Sequence, residues 1–197
     1  MGVRNMRWRV GRMAATVLMA AVLTAGCMPG TAARPGTPAY QVLMPPALQP
    51  GVAIPVPRGD VVLSLSGAIG STNAGGELAF DLATIEQLGL VEYTVNDPWR
   101  KETVTYAGVL LSDLLKYAGA SATAKTIEIV ALDDYQELLT LEDIRKWPIL
   151  LATRSDGDGM SVADGGPTRV IFPIYAFEID PTYESQWVWS VKTISVK

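Results

Sequence analysis

The chain has 197 residues, 49% of them hydrophobic and 18% charged, enough for one globular domain with a buried core. Its formal charge of -4 counts against nucleic acid as a partner, and the absence of histidine excludes Ser-His and Cys-His catalysis. The same absence excludes histidine-ligated zinc or haem iron, and a single cysteine excludes an internal disulfide.

Arg4, Arg7, Arg9 and Arg12 precede the apolar run 13–26 (MAATVLMAAVLTAG), which has the order of a secretory signal and is short for a membrane-spanning helix. Cys27 follows Leu23-Thr24-Ala25-Gly26, which resembles a bacterial lipoprotein processing box with threonine where leucine is usual. The expectation is a signal peptide over 1–26, a lipid on Cys27, and a periplasmic or cell-surface protein held at a membrane; an ordinary signal peptide cut nearby is the competing reading. Cleavage would leave 12 Lys+Arg against 20 Asp+Glu, so the formal charge would move from -4 to -8. With Cys27 in the anchor, the folded part has neither a thiolate nucleophile nor a thiolate metal ligand, so neither haem nor zinc is expected. Residues 28–58 hold 8 of the 13 prolines and two charges, Arg34 and Arg58, without helical or alternating period. They predict a linker, and place the domain over 59–197.

Within the domain, Val61 to Ser66 predicts a strand, and Glu77 to Phe80 a short one. Asp81 can cap a helix carrying Leu82, Ile85 and Leu88 on one face, with Gly89 past its end. Val91 to Val95 predicts a strand, 96–101 a loop, and Thr103 to Tyr106 another strand. Leu110, Leu111, Leu114 and Leu115 fit one helical face that stops at Gly119. Thr126 to Leu132 and Gln136 to Leu139 predict strands around the corner Asp133-Asp134-Tyr135, and Thr140 with Asp143 an approximate capping box. Ile149 to Tyr175 predicts a buried strand, a Gly- and Asp-rich excursion, and a strand entered through Gly165-Gly166-Pro167. Trp187 to Val196 closes the chain as a long strand. Strands outnumber short helices and no nucleotide fingerprint occurs, so the fold class is α+β in a single β-rich domain.

Candidate site residues are few. Arg154 and Arg169 stand as isolated cations near strand ends, where an anionic group could be held. Trp99-Arg100 lies in a proline-punctuated loop, with the tryptophan either a plug over the core or a stacking surface and the arginine able to hold a carboxylate or phosphate. Asp133 and Asp134 are a poor acid-base pair, because neighbours in an extended segment point to opposite faces. One of them is expected to bond backbone, and Asp134 beside Tyr135 could alternatively grip a ring with donor nitrogens. Asp156-Gly-Asp158-Gly reads as a turn, since Met160 replaces the third oxygen ligand of a calcium loop and Pro167 its closing glutamate. Trp187 and Trp189 are expected on one strand face, at least one of them in the core; Tyr175 and Tyr183 are rim candidates.

In order, Phe80-Asp-Leu-Ala-Thr-Ile-Glu-Gln-Leu, the Pro98-Trp99 loop, Tyr106-Ala-Gly108-Val-Leu-Leu-Ser-Asp-Leu-Leu115, Asp134-Tyr135, Leu151-Ala152 to Asp156-Gly157, Gly166-Pro167-Thr-Arg169-Val-Ile-Phe-Pro173 and Trp189-Ser-Val-Lys-Thr-Ile194 resemble the molybdopterin-binding domain of the sulfite oxidase family. The likeness is to its small exported stand-alone members. It implies a mixed α+β fold with a pterin pocket, and a pterin or molybdopterin cofactor. Catalytic members hold molybdenum through a cysteine after the strand matching Val91 to Val95, where this chain reads Thr94-Val95-Asn96-Asp97. The thiolate-free members resemble periplasmic pterin-binding sensors that report to a membrane signalling protein. The resemblance therefore implies a non-catalytic binding protein, with a molybdopterin oxidoreductase whose metal is held only by its cofactor as the alternative, and a degenerate protein-contact domain as a third. Trp99 and Tyr135 would flank the ring, Arg100, Arg154 and Arg169 would neutralise phosphate or carboxylate, and Asp134 or Asp156 would accept from ring amino groups.

Overall fold

The computed structural model describes residue 2 and residues 40–173 and 180–197. The proposed signal peptide, Cys27 and Tyr175 lie outside them. Among the described residues no helix is long and apolar enough to cross a membrane.

The strands are β1 (Gln41–Met44), β2 (Leu63–Gly67), β3 (Leu78–Phe80), β4 (Leu90–Asp97), β5 (Glu102–Leu110), β6 (Thr126–Ala131), β7 (Gln136–Thr140), β8 (Leu150–Ser155), β9 (Asp158–Gly159), β10 (Arg169–Ile171) and β11 (Val191–Val196). Short helices are α1 (Leu82–Glu86), α2 (Leu111–Ala118), α3 (Leu141–Lys146) and α4 (Pro181–Glu184). One sheet runs β1-β4-β5-β8-β10 with β9 on β8; the other runs β3-β2-β11-β6-β7. This is the mixed, β-rich α+β architecture expected from the sequence. Side chains from both sheets, among them Leu63, Ile129 and Ile194 from one and Val95, Val109 and Leu151 from the other, merge with α1, α2 and α3 in one hydrophobic cluster.

Local chemistry explains most boundaries. Asp81 caps α1, its carboxylate taking the amides of Thr84, Gly59 and Arg58 at 2.8 to 2.9 Å. Bonds from the Thr84 side chain and from Gly59 hold that carboxyl well below the usual carboxylate range. The leucines of α2 bury Leu111, Leu114 and Leu115, and Gly119 ends the helix in the left-handed conformation. At α3 the Thr140 hydroxyl accepts from the Asp143 amide at 3.0 Å, as the spacing predicts. In β6 alternate residues Ile127, Ile129 and Ala131 are buried, whereas Leu150 to Thr153 of β8 are buried without alternation because that strand lies inside its sheet.

Two expectations change. The stretch read as linker is partly built into the domain: Gln41–Met44 pairs antiparallel with β4, Ile54 is buried, and the Tyr117 hydroxyl donates to the Leu48 carbonyl. Pairing with a distant strand supplies what the local, proline-rich composition lacks. The last strand begins at Val191 rather than Trp187, because Ser190 takes a positive φ of 48° and breaks the extended run. Trp187 and Trp189 therefore belong to the segment that enters the sheet.

Candidate ligand cleft

The antiparallel pairing of β4 with β5 brings Asp97 opposite Glu102, with the turn Pro98 to Lys101 at its tip. Asp97 is completely buried and organises that turn: its Oδ1 accepts the amides of Trp99 and Arg100 at 2.8 and 2.9 Å. Its Oδ2 accepts the Tyr106 hydroxyl at 2.6 Å and lies 3.0 Å from Nη2 of Arg169, which is 0% exposed. The Tyr106 oxygen in turn accepts from Arg169 Nη1 at 2.9 Å. Burial pushes the Tyr106 phenol well above its ordinary pKa, so it remains a hydroxyl donor to Asp97. Burial also draws the Arg169 guanidinium below its ordinary value.

Around that ion pair stand aromatic rings. The Arg169 guanidinium carbon lies 4.3 Å from the Trp189 ring centroid, 5.5 Å from Tyr106 and 5.7 Å from Trp187. Gly165, at φ 83°, supports the outer tryptophan: a Cβ there would come within 3.1 Å of the indole, and the Gly165 carbonyl accepts the Ser190 amide at 2.7 Å.

Above this base opens a cleft of about 350 Å³, lined by Trp99, Tyr135, Trp187 and Trp189 with Asp133, Glu184, Ser185, Ala131 and Val188. Trp99 is 46% exposed, so it is a wall of the cleft and not a plug over the core. Trp187 is 3% exposed, and its Nε1–H is buried with no hydrogen-bond partner among the described residues. A buried donor without an acceptor costs about 1–3 kcal/mol. Among the described residues Arg169 Nε has no hydrogen-bond partner, and Nη2 meets Asp97 as an ion pair.

The residues singled out in the sequence divide accordingly. Trp99 and Tyr135 face each other across the cleft. Arg169 lies behind its tryptophan wall, paired with Asp97 instead of standing as a free cation. Arg100 reaches Glu102 and the Ser155 hydroxyl, both at 3.2 Å, and does not line the cleft. Arg154 is spent on Glu86, its Nε and Nη2 donating to the two carboxylate oxygens at 2.8 and 2.6 Å. Asp156 is structural, its Oδ1 accepting the Thr105 amide at 2.9 Å in the β8–β9 turn. Asp134 pairs with Lys192 at 2.6 Å, while its neighbour Asp133 lines the cleft and accepts the Tyr135 amide at 3.1 Å. Of the rim candidates, Tyr183 packs on Phe172, with ring centroids 5.4 Å apart, away from the cleft lining. Sequence reasoning missed Glu184 entirely and set Trp187 and Trp189 on a strand face. The one available signal was the density of tryptophan just before the final apolar run.

Such a cleft can hold a flat ring by stacking and accept from its amino groups at Asp133 and Glu184. The residues fit the ring of a pterin. They do not supply a metal ligand at the end of β4, because both oxygens of Asp97 already serve the amides, the phenol and the guanidinium described above. Residues 83–193 match the family model for the oxidoreductase molybdopterin binding domain. The fold is similar to that of the sulfane dehydrogenase SoxCD from Paracoccus pantotrophus, with a TM-score of 0.53 at 17% identity over 68% of this chain. This chain spans 37% of that one. No curated protein matches the sequence.

Proposed function

The chain belongs to the family of oxidoreductase molybdopterin binding domains, and on that premise we propose that it is an exported, lipid-anchored protein that holds a pterin or molybdopterin-like ligand without turning it over, as a sensor or carrier. The observation that carries this reading is the aromatic cleft walled by Trp99, Tyr135, Trp187 and Trp189. Three further features support binding over turnover. The domain has no histidine and no cysteine. The stretch 94–97, where the resemblance places the thiolate of catalytic relatives, has none, and its Asp97 holds the Trp99 turn and Arg169. The cleft's two carboxylates, Asp133 and Glu184, offer acceptors to a ring but no redox group. The lipid on Cys27 would keep the protein beside a membrane signalling partner.

A second reading is favoured by the family's description and by the dehydrogenase of similar fold: an oxidoreductase whose molybdenum is held by its cofactor alone. Bound molybdopterin would then supply metal-centred electron transfer, while Trp99, Tyr135, Asp133 and Glu184 would orient its ring.

Metal analysis of the full chain made in a molybdenum-replete host, paired with pterin fluorescence of the denatured supernatant, separates the readings. Pterin fluorescence without stoichiometric molybdenum is the expected result. Stoichiometric molybdenum would establish the oxidoreductase instead, and the absence of both would leave a domain that contacts only protein.

A further inference from the structure

The charge of the cleft conflicts with the phosphate that molybdopterin carries. Its lining contains two carboxylates, Asp133 and Glu184, and no lysine or arginine among the described residues. The cations around it are each engaged: Arg169 with Asp97, Arg100 with Glu102, and Lys192 with Asp134. Arg169 is moreover sealed behind Trp189 and Trp187 and is 0% exposed. A phosphate seated in this cleft would meet like charge from two exposed carboxylates, a repulsion felt most at low ionic strength. A neutral or cationic ring meets four aromatic residues and two acceptors for its amino groups.

We propose that the cleft selects an uncharged or cationic amino-substituted pteridine and discriminates against phosphorylated pterins, the phosphate-bearing molybdopterin included. This rests on the pterin-binding reading and narrows it to one ligand class. Asp133 and Glu184 set the selectivity by repulsion; the stacking rings set the affinity and are indifferent to the tail.

The test compares 6-hydroxymethylpterin with its diphosphate ester, two probes with one ring and different charge, by quenching of tryptophan fluorescence in the full chain. The parent compound should bind about tenfold or more tightly than the diphosphate at low ionic strength, with the gap closing as salt is raised. The double variant Asp133→Asn, Glu184→Gln should bind the parent more weakly, since both residues accept from its amino groups, and should bring the ratio of the two affinities close to one. Both side chains are exposed, so the variant is expected to fold. Equal or tighter binding of the diphosphate by the wild type overturns the charge selection while leaving pterin binding intact, as does a preference that survives in the double variant. Binding of neither probe overturns the pterin reading together with this one.

Discussion

Asp97 and Arg169 meet with Oδ2 and Nη2 3.0 Å apart, both side chains completely buried, and between them they support two of the cleft's aromatic residues. Asp97 fixes the turn that presents Trp99, and Arg169 lies against Trp189. Read from sequence, Arg169→Ala is a test of ligand retention; in the structure it strands a buried carboxylate. We expect it to lower stability by about 3–5 kcal/mol, read as a large drop in the urea midpoint, because the surviving partner keeps its desolvation penalty and loses its counterion. An unfolding free energy within ~0.5 kcal/mol of the wild type would show that the pair does not organise this end of the domain.

Trp187→Phe should separate binding from folding. The unliganded domain loses a donor that has no acceptor, so its stability should hold or rise slightly despite the smaller ring. Affinity for 6-hydroxymethylpterin should fall by about 0.5–1.5 kcal/mol through the smaller aromatic wall. Unchanged affinity in a titration would remove Trp187 from the recognition set.

Trp99→Ala acts at the exposed wall. Loss of a stacking face should weaken ring binding by about 1–3 kcal/mol. Thermal stability should change little, because nearly half of the side chain is already in water. A collapse of stability in this variant would mean that Trp99 is packed as core.

The Glu86–Arg154 pair gives a pH signature remote from the cleft. Hydrogen bonding from Arg154 holds the Glu86 carboxyl below its ordinary value. A depressed folded-state pKa contributes stability that is present above the unfolded value and lost as pH falls through the lowered one. Arg154→Ala should therefore cost below about 1 kcal/mol near neutrality, flatten the acid limb of the stability curve, and leave pterin affinity unchanged. A variant that binds pterin more weakly with its acid limb unaltered would reverse the assignment.

Elements governed by neighbours in sequence were legible before any coordinates. The Asp81 cap, the leucine face of α2 with its Gly119 stop, and the Thr140–Asp143 box are each settled within a few residues of chain. What pairing across the fold decides was not. Nothing local marks Gln41–Met44 as a strand, since its partner is β4. Nothing local reveals that the counterion of Arg169 is Asp97, or that of Arg154 is Glu86, so both arginines read as free. The cleft was legible by half: Trp99 and Tyr135 sit in visible turns, whereas Asp133 displaces Asp134 because the latter takes a left-handed φ of 66° and bonds Lys192. Glu184 reaches the cleft from α4, by tertiary placement alone.

The most direct measurement is mass spectrometry of the small molecules released on denaturing the full chain purified from its own host, wild type beside Trp99→Ala and Trp187→Phe. The expected result is a pterin mass without phosphate, released in near-equimolar amount by the wild type and depleted in both variants. Release of no pterin, or of equal amounts from all three proteins, would contradict the aromatic cleft as the place where this domain holds its ligand.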